Sequence, residues 1–115
     1  KVSGYDITLE NYRSAAPLFS TYAARHEITL RLFETDSLNC VIDPVDVLYI
    51  DTKHTESQLK QELSLHSEKA KRFIICHDTN SSGGLRKAIA KFLATSKWKM
   101  VNNCREGTGF TTLSR

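Results

Sequence analysis

The chain has 115 residues, enough for one domain with one hydrophobic core. Hydrophobic residues make up 40% and charged residues 25% of the sequence, which is typical of globular domains. The net charge of +3 comes from lysines and arginines spread along the chain, whereas a nucleic-acid surface would need them clustered on one face. We therefore expect no nucleic-acid partner.

The cysteines and the hydropathy of the chain indicate which kinds of site and which cellular compartment to expect. Cys40, Cys76 and Cys104 lie far apart and have no CxxC spacing, which argues against a zinc site. Their odd number argues against a disulfide framework, so we expect a reducing, cytoplasmic compartment. No apolar run approaches the roughly eighteen residues of a membrane span, and no signal peptide is recognised. Because the first residue is Lys1 rather than Met, we expect the chain to be a piece of a longer protein.

The spacing of apolar residues predicts strands that alternate with helices, followed by two further strands. In chain order we predict a strand at residues 1–8, a helix at 9–26, strands at 28–33 and 45–50, a helix at 55–69, a strand at 73–76, a helix after the 81–84 loop, and strands at 97–102 and 109–113. Pro17 lacks an amide hydrogen, so we expect a short turn first and a main helix with Pro17 in its first turn.

The strands at 45–50 and 73–76 dominate this pattern. Both are short apolar runs, and only Asp46 interrupts the first of them. Such runs are typical of parallel strands buried on both faces, and the helix between them predicts a βαβ unit. The last two strands have turn residues between them, which predicts an antiparallel hairpin whose second strand lies next to 73–76. The whole chain is thus predicted to be one α/β domain.

Polar side chains follow four of the predicted strands. Because the carboxyl ends of parallel strands lie at one edge of a sheet, such groups can converge there and bind ribose hydroxyls, an adenine amino group or a hard cation. The simpler alternative is that polar residues resume wherever a strand ends. The groups are Asp6; Asp36 with Ser37; Asp51 with His54; and His77 with Asp78.

Two of these groups match a known sequence pattern. The letters IDTKHT at residues 50–55, then Glu62, then His77 and Asp78 are similar to the pattern IDGxHxY…D…GG…HD. The chain resembles the carboxyl-terminal two-thirds of a class I S-adenosylmethionine-dependent methyltransferase, nearest to the small O-methyltransferase-like domains. Cephalosporin-hydroxylase-like proteins share part of the pattern. The resemblance implies a Rossmann-like, mostly parallel sheet with a carboxyl-terminal antiparallel hairpin.

The resemblance also implies a role for each residue that matches the family. Asp6 would bind the ribose hydroxyls of S-adenosylmethionine, and Asp36 with Ser37 would lie near its adenine.

The remaining residues would carry the chemistry. Asp51, His77 and Asp78 would hold a divalent cation such as Mg²⁺, and Asp51 would also lie close to the methyl donor. His54 would act with Asp51 in catalysis, as a general base or substrate contact, since imidazole titrates near neutral pH. The implied reaction is O-methyl transfer to a small-molecule or sugar hydroxyl.

The chain departs from the family in three places. No glycine-rich E-x-G-x-G loop is present, Thr52 stands where the pattern has glycine, and residues 68–71 lack a glycine pair. The family's sheet order is 3-2-1-4-5-7-6, so the absent first strand and helix belong in the middle of the sheet. We therefore expect these 115 residues alone to bind S-adenosylmethionine weakly or not at all, although the intact protein is a methyltransferase or a relative of one.

Two alternatives remain open. A non-catalytic, methyltransferase-like binding module would account for the absent glycine loop and for Thr52. A phospho-acceptor receiver domain would account for a strand ending in Asp51, but it requires an acidic pair after its first strand. Asp6 has no acidic neighbour, so this alternative ranks lower.

Overall fold

Strands and helices alternate over most of the chain in a computed structural model that describes residues 1–115. The strands are β1 (Val2–Asp6), β2 (Leu30–Glu34), β3 (Val45–Ile50), β4 (Ala70–His77), β5 (Lys99–Cys104) and β6 (Phe110–Ser114). The α-helices are α1 (Glu10–Arg25), α2 (Glu56–His66) and α3 (Gly83–Thr95), and a 3-10 turn at Ser67–Lys69 joins α2 to β4. None of the helices has the length and apolar character needed to cross a membrane. The residues divide into two compact units, Lys1–Cys40 and Val41–Arg115.

The first unit, Lys1–Cys40, is a strand-helix-strand arrangement. β1 and β2 pair in parallel along their full lengths. The rings of Tyr5 and Phe33 stack across this pair, with their centroids 5.0 Å apart. No residue of the unit is buried, and α1 contributes no buried side chain.

Helix α1 differs from the expectation for Pro17. It runs without interruption from Glu10 to Arg25, so the predicted short turn before a separate main helix is wrong. Proline removes one amide donor, but the preceding turn still makes its own bonds, since the Arg13 amide donates to the Leu9 carbonyl at 2.9 Å. The Thr21 hydroxyl donates to the Pro17 carbonyl at 2.8 Å. One lost bond is therefore tolerated in a helix of sixteen residues.

The second unit, Val41–Arg115, contains a four-stranded sheet of order β3-β4-β6-β5. β3 and β4 are parallel, whereas β6 is antiparallel to both of its neighbours. This confirms the predicted parallel pair and the closing hairpin, with the hairpin strands displaced by one or two residues from the predicted bounds. The order β3-β4-β6-β5 is the order expected for strands 4-5-7-6 of the 3-2-1-4-5-7-6 arrangement.

The hydrophobic core lies between this sheet and helices α2 and α3. Apolar residues at helical spacing on α2 and α3 form this core together with apolar residues of β3, β4 and β6. Each fully buried leucine or isoleucine stabilises the fold by about 1.5–3 kcal/mol. The core residues are Ile50, Leu59, Leu63, Ala70, Ile74, Cys76, Leu85, Ala88, Ile89, Trp98 and Leu113. All of them belong to the second unit, which therefore has a core of its own.

Strand β3 differs from the prediction in one respect. We expected burial on both faces, but only Ile50 and the half-buried Leu48 face the core. On the opposite face, Val47 and Tyr49 are 48% and 55% exposed. The reason is that α2 and α3 both pack against the core face of the sheet. Helices of the second unit therefore cover only one face of β3.

Candidate functional site

Two strand ends meet at one rim of the four-stranded sheet. Ile50 of β3 lies opposite Cys76 of β4, so the residues that follow, Asp51 and His77, come side by side. His77 Nδ1 lies 3.6 Å from Asp51 Oδ1. The parallel register therefore brings a carboxylate and an imidazole to the edge where α/β sheets bind ligands.

The loop of residues 51–55 places a second imidazole at this rim. Thr55 caps α2, because its hydroxyl oxygen accepts a hydrogen bond from the Gln58 amide at 3.3 Å. The Ser82 hydroxyl donates to the His54 carbonyl at 3.2 Å and ties the loop to the start of α3. His54 Nε2 consequently lies 2.8 Å from Asp78 Oδ2 and 3.7 Å from Asp51 Oδ1.

Asp78 is the most enclosed member of this group. Its side chain is 13% exposed, against 43% for Asp51 and 49% for His54. Both imidazoles approach the same carboxylate oxygen, Asp78 Oδ2, His54 at 2.8 Å and His77 at 3.3 Å. The backbone φ of Asp78 is +56°, in the left-handed region that costs free energy for a residue other than glycine. Strain of this kind is typical of functional positions.

The turn between β5 and β6 holds the Asp78 carboxylate from the other side. A hydrogen bond from the Thr108 side chain is the largest influence lowering the pKa of Asp78; His77 and His54 add to it, and burial opposes it. The Thr108 carbonyl also accepts from the Asn80 and Ser81 amides at 2.8 and 3.2 Å. Asp78 is therefore ionised at neutral pH and fixed in direction.

Sequence analysis did not single out Thr108, which lies thirty residues beyond Asp78 in the sequence. The available signal was the predicted pairing of the last strand with β4. Because that pairing is antiparallel, it brings the turn before β6 next to the carboxyl end of β4.

The polar atoms at the rim suit a small cation. Ligand atoms of Asp51, His54 and Asp78 all lie within 4.8 Å of one another. His77 Nδ1 is buried and faces both carboxylates, 3.6 Å from Asp51 Oδ1 and 3.3 Å from Asp78 Oδ2. Two carboxylates with imidazoles suit a cation such as Mn²⁺, whereas Mg²⁺ would use chiefly the carboxylates and water. The predicted ligand set was Asp51, His77 and Asp78, and the structure brings His54 to the same place.

Tyr49 is a further residue near the rim that sequence analysis did not assign. It lies two residues before Asp51 on β3, and its ring centroid is 6.1 Å from that of His77. Burial raises the pKa of Tyr49, and the charges of Asp51 and Asp78 raise it further. The phenol therefore remains protonated at neutral pH and is available as a hydrogen-bond donor.

The pocket beside these residues is small. It is lined by Ile50, Thr52, Lys53, His54, Leu59, Cys76, His77 and Leu85 and has a cavity volume of about 10 Å³. That is room for about one water molecule, whereas small-molecule sites usually measure about 300–1,000 Å³. By itself, this pocket is therefore too small for a small-molecule ligand.

The three predicted cofactor-binding residues all lie in the first unit. Asp6 ends β1, and its Oδ1 accepts a hydrogen bond from the Thr8 amide at 3.2 Å. Asp36 follows β2, and its Oδ1 accepts from the Leu38 amide at 2.8 Å. Ser37 is half-buried beside it. Both carboxylates are thus held in tight turns at the carboxyl ends of paired parallel strands.

Comparison with known proteins identifies the fold. No family model matches the chain, and no curated protein matches it. A protein of solved structure from Corynebacterium glutamicum has a TM-score of 0.73 at 13% identity, over 97% of this chain and 59% of that one. A methyltransferase from Geobacter sulfurreducens has a TM-score of 0.67 at 16% identity, over 100% of this chain and 58% of that one.

These likenesses show that the chain has a Rossmann-like α/β fold shared with a methyltransferase. The predicted fold class is therefore confirmed. The chain spans less than two thirds of the length of either solved structure.

Proposed function

We propose that the chain is the carboxyl-terminal part of an S-adenosylmethionine-dependent methyltransferase that transfers the methyl group to a small-molecule or sugar hydroxyl. The observation that carries the proposal is the convergence of Asp51, His54, His77 and Asp78 at the carboxyl ends of β3 and β4. The shared fold supports it. On this proposal the two units belong to one domain.

The cofactor would be bound by residues of the first unit. S-adenosylmethionine supplies an activated methyl group, so the protein need only bind it, orient the acceptor and accept a proton. Asp6 would accept hydrogen bonds from the ribose hydroxyls, and Asp36 with Ser37 would contact the adenine. The Oδ1 bonds to the Thr8 and Leu38 amides fix the two carboxylates for this purpose.

His54 is the proposed proton acceptor. A carboxylate can only accept hydrogen bonds, so the 2.8 Å contact with Asp78 requires the proton of a neutral His54 to lie on Nε2. The basic nitrogen is then Nδ1. Asp78 holds the ring in this tautomer and stabilises the imidazolium that forms when a hydroxyl proton is taken up.

A divalent cation such as Mg²⁺ would be held by Asp51, His77 and Asp78. Such a cation lowers the pKa of an acceptor hydroxyl. The buried Nδ1 of His77 and the two carboxylates that face it are suited to this role. The lowered pKa of Asp78 supports it too, since a ligand carboxylate must be ionised.

Calorimetry with S-adenosylhomocysteine, with and without magnesium, tests the proposal on the protein made from its complete reading frame. We expect binding, and methyl transfer from labelled S-adenosylmethionine to a hydroxyl compound. His54→Asn should lower transfer by about 10²–10⁴-fold, the usual contribution of a general base. His26→Asn, at the exposed end of α1, is the matched control. Absence of S-adenosylhomocysteine binding would contradict the proposal.

The isolated 115 residues should behave differently. We expect weak or no binding of S-adenosylmethionine, because the pocket beside the rim has room for about one water molecule and no glycine-rich loop is present. Micromolar binding would show that residues 1–6 supply the strand that we take to be absent, and that their assignment to the family's second strand is wrong.

A non-catalytic binding module is the second candidate. The absent glycine-rich loop and Thr52 in place of the pattern's glycine favour it, because both differ from the methyltransferase pattern at positions where the resemblance implies the cofactor and the chemistry. This alternative would be established by two results together. S-adenosylhomocysteine would bind without methyl transfer to any hydroxyl acceptor, and His54→Asn would leave the affinity for S-adenosylhomocysteine unchanged.

A further inference from the structure

Glu62 is a buried acid that the proposed chemistry does not use. It lies on α2 and is 1% exposed. Burying a carboxylate is costly unless hydrogen bonds replace those that water made. Its contacts should therefore explain why an acid occupies this position.

Two donors from different parts of the chain meet the Glu62 carboxylate. The Thr52 hydroxyl donates to Oε2 at 2.9 Å, and the Gln58 side-chain amide donates to Oε1 at 3.0 Å. Gln58 lies one helical turn before Glu62 on α2, whereas Thr52 lies in the loop that carries Asp51 and His54. The carboxylate thus joins that loop to the helix.

Glu62 also lies close to the end of the neighbouring strand. Burial, and secondarily the charge of Glu62, raise the pKa of Cys76 to about 12. Cys76 is one residue before His77 on β4. The charge of the acid therefore acts on the end of β4 that carries His77.

We propose that Thr52 and Glu62 form a positioning pair that fixes residues 51–55 on α2, so that Asp51 and His54 face Asp78. The pair acts through other residues and does not itself contact substrate. Its functional meaning rests on the proposed function of the rim. The proposal also accounts for the departure of Thr52 from the glycine of the pattern, because glycine has no hydroxyl with which to bind Glu62.

Substitutions at Thr52 separate the hydroxyl from the bulk of the side chain. Thr52→Val keeps the shape and removes the hydroxyl, whereas Thr52→Ser keeps the hydroxyl. We expect ¹⁵N order parameters of residues 52–54 to fall from the rigid value of about 0.85 to below about 0.6 in Thr52→Val and to recover in Thr52→Ser. Thr112→Val, a half-buried position on β6, is the control for loss of a threonine hydroxyl. Unchanged order parameters in Thr52→Val would overturn the proposal.

The acid can be tested in the same way. Glu62→Leu keeps a side chain of similar size but has no acceptor, so it cannot bind either Thr52 or Gln58. It should loosen the same loop. The double variant Thr52→Val with Glu62→Leu should be no looser than the worse single variant, since both remove the contact between Thr52 and Glu62. Additive loosening would show that the two residues act independently, which overturns the pair.

The affinity for a cation shows whether the positioning pair also orients the rim residues. By calorimetry with Mn²⁺, Thr52→Val should weaken binding about tenfold, as changes to residues that orient metal ligands do, while Thr52→Ser should not. Wild-type affinity in Thr52→Val would overturn the positioning role. If the wild-type chain itself does not bind Mn²⁺, the cation proposal fails, and the order parameters still decide whether the pair holds the loop.

Discussion

The two units of the chain have similar secondary structure and very different interiors. Lys1–Cys40 has two paired strands and a sixteen-residue helix, yet none of its residues is buried. Val41–Arg115 buries a core of eleven apolar residues. Isolated helices of this length are marginally stable in water, and burial of apolar surface is the main stabilising force of folded domains. The contrast indicates that most of the free energy of unfolding resides in the second unit.

The same contrast applies to the residues assigned to function. Asp6 and Asp36 are held by amides two residues further along the chain. Asp78 is held by Thr108, His54 and His77, which come from three different segments. Local turns can form in any chain, whereas the geometry around Asp78 requires the folded second unit.

The largest expected effect distinguishes the two interiors directly. Leu63→Ala, at a side chain with 0% exposure, should destabilise the chain by about 2–5 kcal/mol. Leu18→Ala, at 72% exposure on α1, should change stability by no more than about 0.5 kcal/mol. Urea unfolding followed by fluorescence of the buried Trp98 measures both variants. Equal effects would mean that α1 contributes to stability as much as the core does.

Two glycines, one in each unit, test the same contrast between the units. Gly109 has φ +74°, and a Cβ there would lie 2.5 Å from Asn80 Cβ and 2.7 Å from the Cys104 carbonyl oxygen. Gly109→Ala should therefore cost more than about 1 kcal/mol. At Gly4 in the first unit the closest atom, at 2.8 Å, is the end of the flexible Leu32 side chain. Gly4→Ala should therefore lower the free energy of unfolding by less than Gly109→Ala does. Thermal unfolding measures both variants. A larger loss of stability in Gly4→Ala would contradict this prediction.

Acid should lower the stability of the second unit by protonating Asp78. Its folded pKa is lowered, so its ionised form stabilises the fold above the ordinary aspartate pKa of about 3.9, and this contribution is lost as the pH falls through the folded pKa. The stability difference between wild type and Asp78→Asn should accordingly be largest near neutral pH and should shrink below about pH 4. Asp6→Asn removes the same charge from the first unit and serves as the reference. A pH-independent difference would contradict the assignment.

The smallest expected effect is a difference in reactivity between the thiols of Cys40 and Cys76, which requires no change in stability. Burial raises the pKa of Cys76 to about 12, so its reactive thiolate is scarce at neutral pH. Cys40 in the first unit is only partly buried. Under native conditions a thiol reagent should modify Cys40 well before Cys76, as peptide mapping would show. Early modification of Cys76 would indicate that the core opens more readily than the first unit.

Much of the fold follows from local sequence, because apolar runs and turn residues act over a few positions. The parallel β3–β4 pair and the closing hairpin were predictable for this reason. The exposed face of β3 was not, since the sequence does not say on which face the helices pack. The uninterrupted α1 does not follow from local sequence, because the loss of one backbone hydrogen bond at Pro17 predicts a break that a sixteen-residue helix does not need.

The site was predictable in part for a similar reason. Asp51, His77 and Asp78 follow strands, so parallel pairing alone brings them together. The closer approach of His54 to Asp78 depends on the path of a loop, and the Thr108 contact depends on a turn thirty residues away. Such long-range contacts have no local signature.

We propose that the rim formed by Asp51, His54, His77 and Asp78 binds a divalent cation. Titration of the ¹⁵N-labelled chain with Mn²⁺, a paramagnetic ion that broadens nearby resonances, tests it most directly. We predict that the amide signals of these four residues broaden first, that a chelator restores them, and that Asp78→Asn abolishes the effect. Broadening that begins at Asp6 or Asp36, or no selective broadening at all, would contradict the claim.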